Sequence, residues 1–220
     1  MNSNGTSLWP LLATAVGETL QMVLTTLVIG GFAGLVVGVL LYSTRPGNLL
    51  ANRVVYGVLN LAVNIVRPIP FIILITALLP LTIQVTGASY GTRAVIFPMA
   101  IMTTFGTSRI VEQNLVALPR GVVEAARAVG AGPLRIITTV IIPEALAPLI
   151  LGYTFLFVAI TDMSAMAGAV AGGGLGDFAL TYGYQRFNPA VTWITVAVII
   201  VLVQSAQGIG NTLARRVLRR

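Results

Sequence analysis

The chain contains no cysteine and no histidine among its 220 residues. Their absence excludes disulfides, thiolate nucleophiles, and imidazole groups that would bind metals or transfer protons. Carboxylates are scarce as well, and the six present are Glu18, Glu112, Glu124, Glu144, Asp162 and Asp177. Because no two of them have the spacing of a recognisable catalytic pair, and hydrolase motifs are absent, the composition disfavours a catalytic or metal site in this chain.

Charged residues make up only 9% of the chain, against 56% hydrophobic residues, whereas soluble domains contain roughly 25% charged residues. The apolar residues fall in runs of about 20, the length that an α-helix needs to cross the hydrocarbon core of a bilayer. Strand-like alternation is absent, which disfavours an outer-membrane barrel. The sequence therefore predicts an all-α, multi-pass membrane protein.

Five membrane-spanning helices are expected. Their approximate ranges are residues 19–41, 64–84, 93–115, 148–163 (continuing to 170) and 191–209. Residues 54–66 either lie at the membrane interface or open the second span before a break at Pro68 and Pro70. A neighbouring helix can approach the first span closely at its small residues, which are Gly30, Gly31, Gly34 and Gly38.

Arginine supplies every positive side chain, and its distribution over the connections is uneven. Eleven arginines fall on the side of the odd-numbered connections and the C-terminus: Arg45, Arg53, Arg67, Arg109, Arg120, Arg127, Arg135, Arg215, Arg216, Arg219 and Arg220. Only Arg93 and Arg186 fall on the opposite side. The positive-inside rule then predicts an extracytoplasmic N-terminal segment 1–17, a membrane domain 18–212 and a basic cytoplasmic tail 213–220. This topology, with anionic lipid as partner, explains the net charge of +7 without nucleic acid.

The polar connection at residues 119–143 is the most informative segment of the chain, because it separates two long apolar runs. Pro119 suits the first turn of a helix, where its missing N–H costs nothing. Gly130 suits a C-terminal cap, and Pro133 suits the start of a second helix. The segment therefore predicts a short helical hairpin at the cytoplasmic face.

The first helix of this hairpin combines charge with small side chains. Glu124 lies between Arg120 and Arg127, at i−4 and i+3, so one face carries charges of alternating sign. Ala125 and Ala126 leave the helix thin enough for a partner to close over it. Two interpretations follow from the residues: the hairpin is gripped by another protein, or it is a solvated loop whose charges keep it out of lipid.

The spacing within the hairpin resembles the EAA signature of the permease subunits of type I ABC importers. That signature is Glu-Ala-Ala, three residues, Gly, nine residues, Ile, one residue and Leu-Pro. It corresponds here to Glu124, Ala125, Ala126, Gly130, Val140, Ile142 and Pro143, with Val and Ile replacing the usual Ile and Leu. The resemblance implies that Glu124, Ala125, Ala126, Arg127 and Gly130 contact a cytoplasmic ATPase and transmit its closure.

Further segments are similar to the methionine importers within that family. They are the RPIPFIIL run at 67–74, the SAMAGAVAGGGLGD run at 164–177 and the YGYQRF run at 182–187, besides the ETLQMVL run at 18–24, which resembles amino-acid-type permeases generally. The resemblance covers about residues 15–212. A permease for another amino acid or small polar solute is the alternative, and a non-ABC channel or membrane enzyme is a remote one.

Membership of this family implies a set of partners and a location. The permease is expected to be a homodimer in the bacterial inner membrane, with two copies of an ABC ATPase below it and a methionine-binding lipoprotein outside. ATP and Mg would be bound by the ATPase, so this chain is expected to hold no cofactor and to have no catalytic site.

Two further groups of residues are candidate sites near the outer face. Met163 and Met166 share one helical face and form either a soft apolar gate, tolerant of a thioether substrate, or ordinary core packing. Asp162 beside them has no assigned role. The glycine run, which cannot hold a regular helix, forms either an outer loop that contacts the lipoprotein or a flexible connector; its members are Gly172, Gly173, Gly174 and Gly176.

Overall fold

The computed structural model describes residues 8–218, so Arg219, Arg220 and most of the predicted outer segment lie outside the described residues. Every regular element in this range is helical, as predicted. The helices are α1 (Trp9–Thr44), α2 (Arg53–Val66), α3 (Phe71–Ala77), α4 (Leu79–Thr86), α5 (Thr92–Val116), α6 (Arg120–Ala128), α7 (Pro133–Ile136), α8 (Ile142–Glu144), α9 (Leu146–Gly168), α10 (Gly174–Phe178) and α11 (Pro189–Leu218). Wider π-helical turns occupy Ile137–Ile141 and Ala179–Tyr184.

Within the described residues, four helices are long and apolar enough to cross a membrane: α1, α5, α9 and α11. The pair α2–α3 would make a fifth span, bent by 104° at its break. The first and last of these helices are longer than predicted, because α1 begins at Trp9 and α11 continues to Leu218.

The second predicted span, 64–84, is not one continuous helix. Residue 64 lies in the last turn of α2, and the chain becomes helical again only with α3 at Phe71. Pro68 and Pro70 cause the break, because proline has no N–H for the helical ladder and restricts the residue before it. A second kink at Leu78 separates α3 from α4, which has Pro80 in its first turn.

Glycines on α1 allow it to pack directly against α5, as predicted. A Cβ added at Gly30, Gly34 or Gly38 would lie 2.6–2.7 Å from carbonyl oxygens of α5, at Ala100, Thr104 and Ser108 respectively. The contacting residues advance together along both helices, so α1 and α5 run parallel. They therefore cross in the same direction, as the first and third spans of the predicted topology should.

Helix α9 runs back along this pair. Its Tyr153 hydroxyl donates a hydrogen bond to the Gly31 carbonyl oxygen of α1 over 2.8 Å. Along α9 the contacted residues of α5 have falling numbers, because Asn114 contacts the Pro148 carbonyl oxygen and Ile110 lies against Gly152. Helix α9 is therefore antiparallel to α5, and the hairpin connects them at one end of the bundle.

The end of the glycine run is helical, contrary to prediction, whereas Gly172 and Gly173 are not helical, as predicted. Helix α10 begins at Gly174, where the Glu18 Oε2 atom accepts a hydrogen bond from the Gly174 N–H over 2.7 Å. The Thr19 hydroxyl oxygen accepts one from the Leu175 N–H over 2.8 Å. These side chains of α1 satisfy the first free N–H groups of α10, which offsets the low helix propensity of glycine.

Candidate functional site

The hairpin has the local structure that its prolines and glycine predict. Helix α6 follows directly after Pro119, and the turn beyond it contains Gly130 at φ +78°. The Gly130 N–H donates to the Arg127 carbonyl oxygen over 2.9 Å, and the Ala131 N–H donates to the Ala126 carbonyl oxygen over 3.2 Å. These bonds end α6 by the left-handed capping geometry that glycine favours.

Helix α6 has one face packed on the bundle. Val123 and Ala126 pack against an apolar cluster at the ends of α1, α5 and the hairpin's return. The buried members of this hairpin cluster are Tyr42, Val111, Leu115, Ile136, Ile137, Ile141, Ala145 and Leu149. Val140 and Ile142, the two positions that depart from the EAA signature, also pack against it. Because packing in this cluster requires only apolar side chains, Val and Ile can replace the usual Ile and Leu without disturbing it.

The opposite face of α6 is exposed. Its exposed residues are Gly121, Glu124, Ala125, Arg127 and Ala128. Glu124 and Arg127 make no ion pair with each other or with another described side chain. Of the five residues expected to contact an ATPase, only Ala126 is turned toward the bundle. Glu124, Ala125, Arg127 and Gly130 are together on the outside of the hairpin.

Two large apolar side chains extend this exposed surface, and sequence reasoning missed them. Val129 is 83% exposed and Leu134 is 73% exposed, on either side of the Gly130 turn. They lie outside the helices that are long and apolar enough to cross a membrane. Neighbouring exposed apolar residues of this kind mark interaction surfaces. Their signal in the sequence is a large apolar residue on either side of the turn from Gly130 to Pro133. We call Glu124, Ala125, Arg127, Val129 and Leu134 the hairpin surface.

The hairpin is joined firmly to the helices behind it. Ile136, Ile137 and Ile141 are buried in the hairpin cluster. The π-helical turn over Ile137–Ile141 continues through α8 into α9 without a flexible linker. Closely packed side chains therefore connect the hairpin to α1, α5 and α9.

Met163 and Met166 lie near the far end of α9 from the hairpin. Both are half-buried and pack against a central cluster that includes Met22, Met99 and Ile160. Contacts within the subunit cover part of each methionine side chain, and the remaining part is exposed on the surface of the subunit. Asp162 is exposed on the same helix and makes no hydrogen bond with another described residue.

The glycines of the outer turn are mostly enclosed by the chain itself. Gly172, Gly174 and Gly176 are buried, and Gly173 is half-buried against the Glu18 carboxylate. A Cβ added at Gly172 would lie 2.6 Å from the Ala167 carbonyl oxygen of α9. The turn is thus packed between α1 and α9.

A polar cluster between α2 and α5 was not predicted. Arg109, which falls in the predicted third span and is also counted among the cytoplasmic-side arginines, lies within α5, seven residues and roughly 10 Å before the helix ends at Val116. Its guanidinium pairs with Glu112 over 2.5 Å and donates to the side-chain oxygens of Asn60 and Asn64 over 2.9 and 2.6 Å. The i,i+4 spacing of the two asparagines in an apolar helix was the available signal.

Comparison with known proteins identifies relatives over nearly the whole chain. The family model described as "Binding-protein-dependent transport system inner membrane component" matches residues 30–219. The Vibrio cholerae protein named "Probable D-methionine transport system permease protein MetI" is 42% identical over 207 residues, covering 94% of this chain and 92% of the relative. The Escherichia coli K12 protein named "D-methionine transport system permease protein MetI" is 42% identical over 158 residues, covering 72% and 73% of the two chains.

Solved structures agree with these relatives. A chain in the inward-facing MetNI methionine ABC transporter is 39% identical and superposes with a TM-score of 0.94, covering 99% of both chains. A chain of an amino acid ABC transporter solved with histidines has a TM-score of 0.75 at 20% identity, covering 94% of both chains. This second likeness concerns the fold alone.

Proposed function

This chain belongs to the inner-membrane components of binding-protein-dependent transport systems, and from that membership we propose that it is the permease subunit of an ATP-driven methionine importer. Methionine as substrate is supported by relatives about 40% identical that carry this function in their names and by the similar chain of a methionine transporter. The family is a transport component, so ATP hydrolysis falls to a partner subunit.

The observation that carries the proposal is the hairpin surface on a rigid support. Its exposed charges and apolar side chains have no partner in the described chain, while the opposite face of α6 is packed into the hairpin cluster. An ATPase that closes over this surface would move the hairpin as a unit. Glu124 and Arg127 would supply directional polar contacts, and Val129 and Leu134 would supply buried apolar area.

The same surface gives a mechanism for alternating access. Two copies of the permease would bring two hairpins side by side, one for each ATPase subunit. Binding of ATP and Mg by the ATPases supplies the closing force. Displacement of the hairpin cluster would then tilt α1, α5 and α9 and separate the outer ends of the α9 helices, where Met163 and Met166 lie. The two methionines, with Asp162 beside them, are proposed as the outer gate.

The outer turn and the membrane complete the proposed assembly. A methionine-binding lipoprotein would dock at the outer face, near the turn from Gly172 to Gly176. The inner membrane would surround five spans, the fifth formed by the bent segment of α2 to α4. The arginines at the hairpin end would face the cytoplasm and anionic lipid. Removing Arg109, which lies within α5, leaves ten arginines on that side against two on the other, so the predicted orientation is retained.

The test is methionine uptake by cells that lack their own methionine importer, with this chain expressed beside its ATPase and lipoprotein. Glu124→Lys should abolish uptake or prevent assembly with the ATPase, because it reverses the charge on the hairpin surface. Glu144→Lys is the matched control, since Glu144 is exposed in α8 but outside that surface, and it should transport normally.

The outcomes separate the parts of the proposal. Normal uptake by Glu124→Lys would contradict the assignment of the hairpin surface. An assembled, active ATPase complex that takes up another amino acid but no methionine would keep the permease function and change the substrate.

A further inference from the structure

The polar cluster of Arg109, Glu112, Asn60 and Asn64 holds α2 against α5 and combines charged groups with amides. Arg109 is within a membrane-directed helix, and its side chain is only 17% exposed. Glu112 beside it is 4% exposed. Charged groups at this depth are costly unless paired, and they usually face a partner or a water-filled path.

The direction of the hydrogen bonds fixes the orientation of both asparagines. A guanidinium can only donate, so the atom that each asparagine turns toward Arg109 must be its Oδ1 atom. The Nδ2 group of each amide therefore points away from Arg109. Neither Nδ2 group has an acceptor among the described residues. Four N–H donors are thus available on one side of the cluster, with a positive charge behind them.

These donors face out of the subunit. Asn64 is exposed and Asn60 is half-buried. The neighbours of Asn64 on the surface of α2 are apolar, at Leu61 and Ile65. An amide with unused donors is costly against hydrocarbon, so this face of α2 meets water or the second subunit rather than lipid.

We propose that the Asn60 and Asn64 amides, backed by Arg109, form a transient binding site for the α-carboxylate of the transported amino acid. The inference rests on the proposed function and adds a substrate contact inside the permease. The site lies near the hairpin end of α5, whereas Met163 and Met166 lie at the opposite end of α9, so substrate reaches it after the outer gate. Glu112 neutralises much of the Arg109 charge, which keeps the site weak enough to release its ligand.

Substituting Asn64 with Asp separates this role from a structural one. Aspartate keeps the oxygen that accepts from Arg109 and strengthens that bond, but replaces the free N–H donors with a negative charge. If Asn64 only ties α2 to α5, Asn64→Asp is harmless and Asn64→Leu is harmful. If Asn64 contacts a carboxylate, Asn64→Asp is at least as harmful as Asn64→Leu. The expected loss for Asn64→Asp is about tenfold in the maximal uptake rate, corresponding to one charge-dependent hydrogen bond.

The experiment measures methionine uptake by proteoliposomes that contain the whole complex, together with the recovery of that complex by size-exclusion chromatography. Asn52→Asp is the matched control, because Asn52 caps the other end of α2 through its Oδ1 atom and aspartate keeps that cap. It should transport at the wild-type rate.

Each result decides the inference. A tenfold loss for Asn64→Asp with full recovery of the complex supports the carboxylate site. Wild-type uptake by Asn64→Asp would overturn it, and so would loss of the assembled complex, because Asn64 would then face the second subunit. If methionine is not the substrate, the wild-type complex itself will take up no methionine, so this result is distinguishable from a loss caused by a variant.

Discussion

Two turns at opposite ends of the bundle, around Gly130 and around Gly174, have nearly the same φ angle in opposite surroundings. The φ angles are +78° and +77°, in the left-handed region that favours glycine. Nothing lies within 4 Å of the position that a Cβ would take at Gly130. At Gly174 that position is 2.7 Å from both Met22 Cε and Thr19 Oγ1. The outer turn is therefore specified by its own chain, whereas the hairpin leaves room for another molecule.

Gly174→Ala should have the larger effect of the two matching substitutions. It adds backbone strain of about 1–2 kcal/mol to overpacking of about 1–3 kcal/mol against Met22 and Thr19. It also displaces the N–H groups that Glu18 and Thr19 cap. We expect a lower yield and a clearly lower melting temperature for the purified complex. An unchanged melting temperature would show that the outer turn tolerates movement.

Gly130→Ala should have a smaller effect on stability and a different effect on function. Only the strain of about 1–2 kcal/mol applies, and it falls on an exposed turn that can relax locally. We expect a melting temperature close to wild type, with weaker binding of the ATPase, because the turn sets the angle of the hairpin surface. An equal decrease in melting temperature for the two alanine variants would contradict the claim that only the turn at Gly174 is held by packing within the chain.

Helix ends, turns and span lengths were predicted well, because they depend on residues that are close together in the sequence. Pro119, Gly130 and Pro133 act within one or two turns of the chain, and the hairpin forms where they place it. The apolar runs likewise predicted α5 and α9 closely, because the length of a span is set by the bilayer. Close packing at Gly30, Gly34 and Gly38 followed from their small size and regular spacing.

Features that depend on distant residues were missed. Helix α10 exists because Glu18 and Thr19, 156 residues earlier, cap its first N–H groups, and no local pattern contains that contact. Arg109 lies inside the predicted third span, 93–115, but its sequence neighbourhood does not show which residues it contacts. Its partners Asn60 and Asn64 are 49 and 45 residues away on α2. The polar cluster is therefore a product of tertiary structure.

The central claim is that the exposed face of α6 is the surface on which the ATPase docks. Because the chain has no cysteine, Ala125→Cys would introduce a single reactive thiol on that face. Arg216→Cys, exposed in the last turns of α11 and within the predicted basic tail, serves as the control. Maleimide labelling of the permease should be fast at both positions, and adding the ATPase should protect position 125 while leaving position 216 unchanged. Equal labelling of position 125 with and without the ATPase would contradict the account.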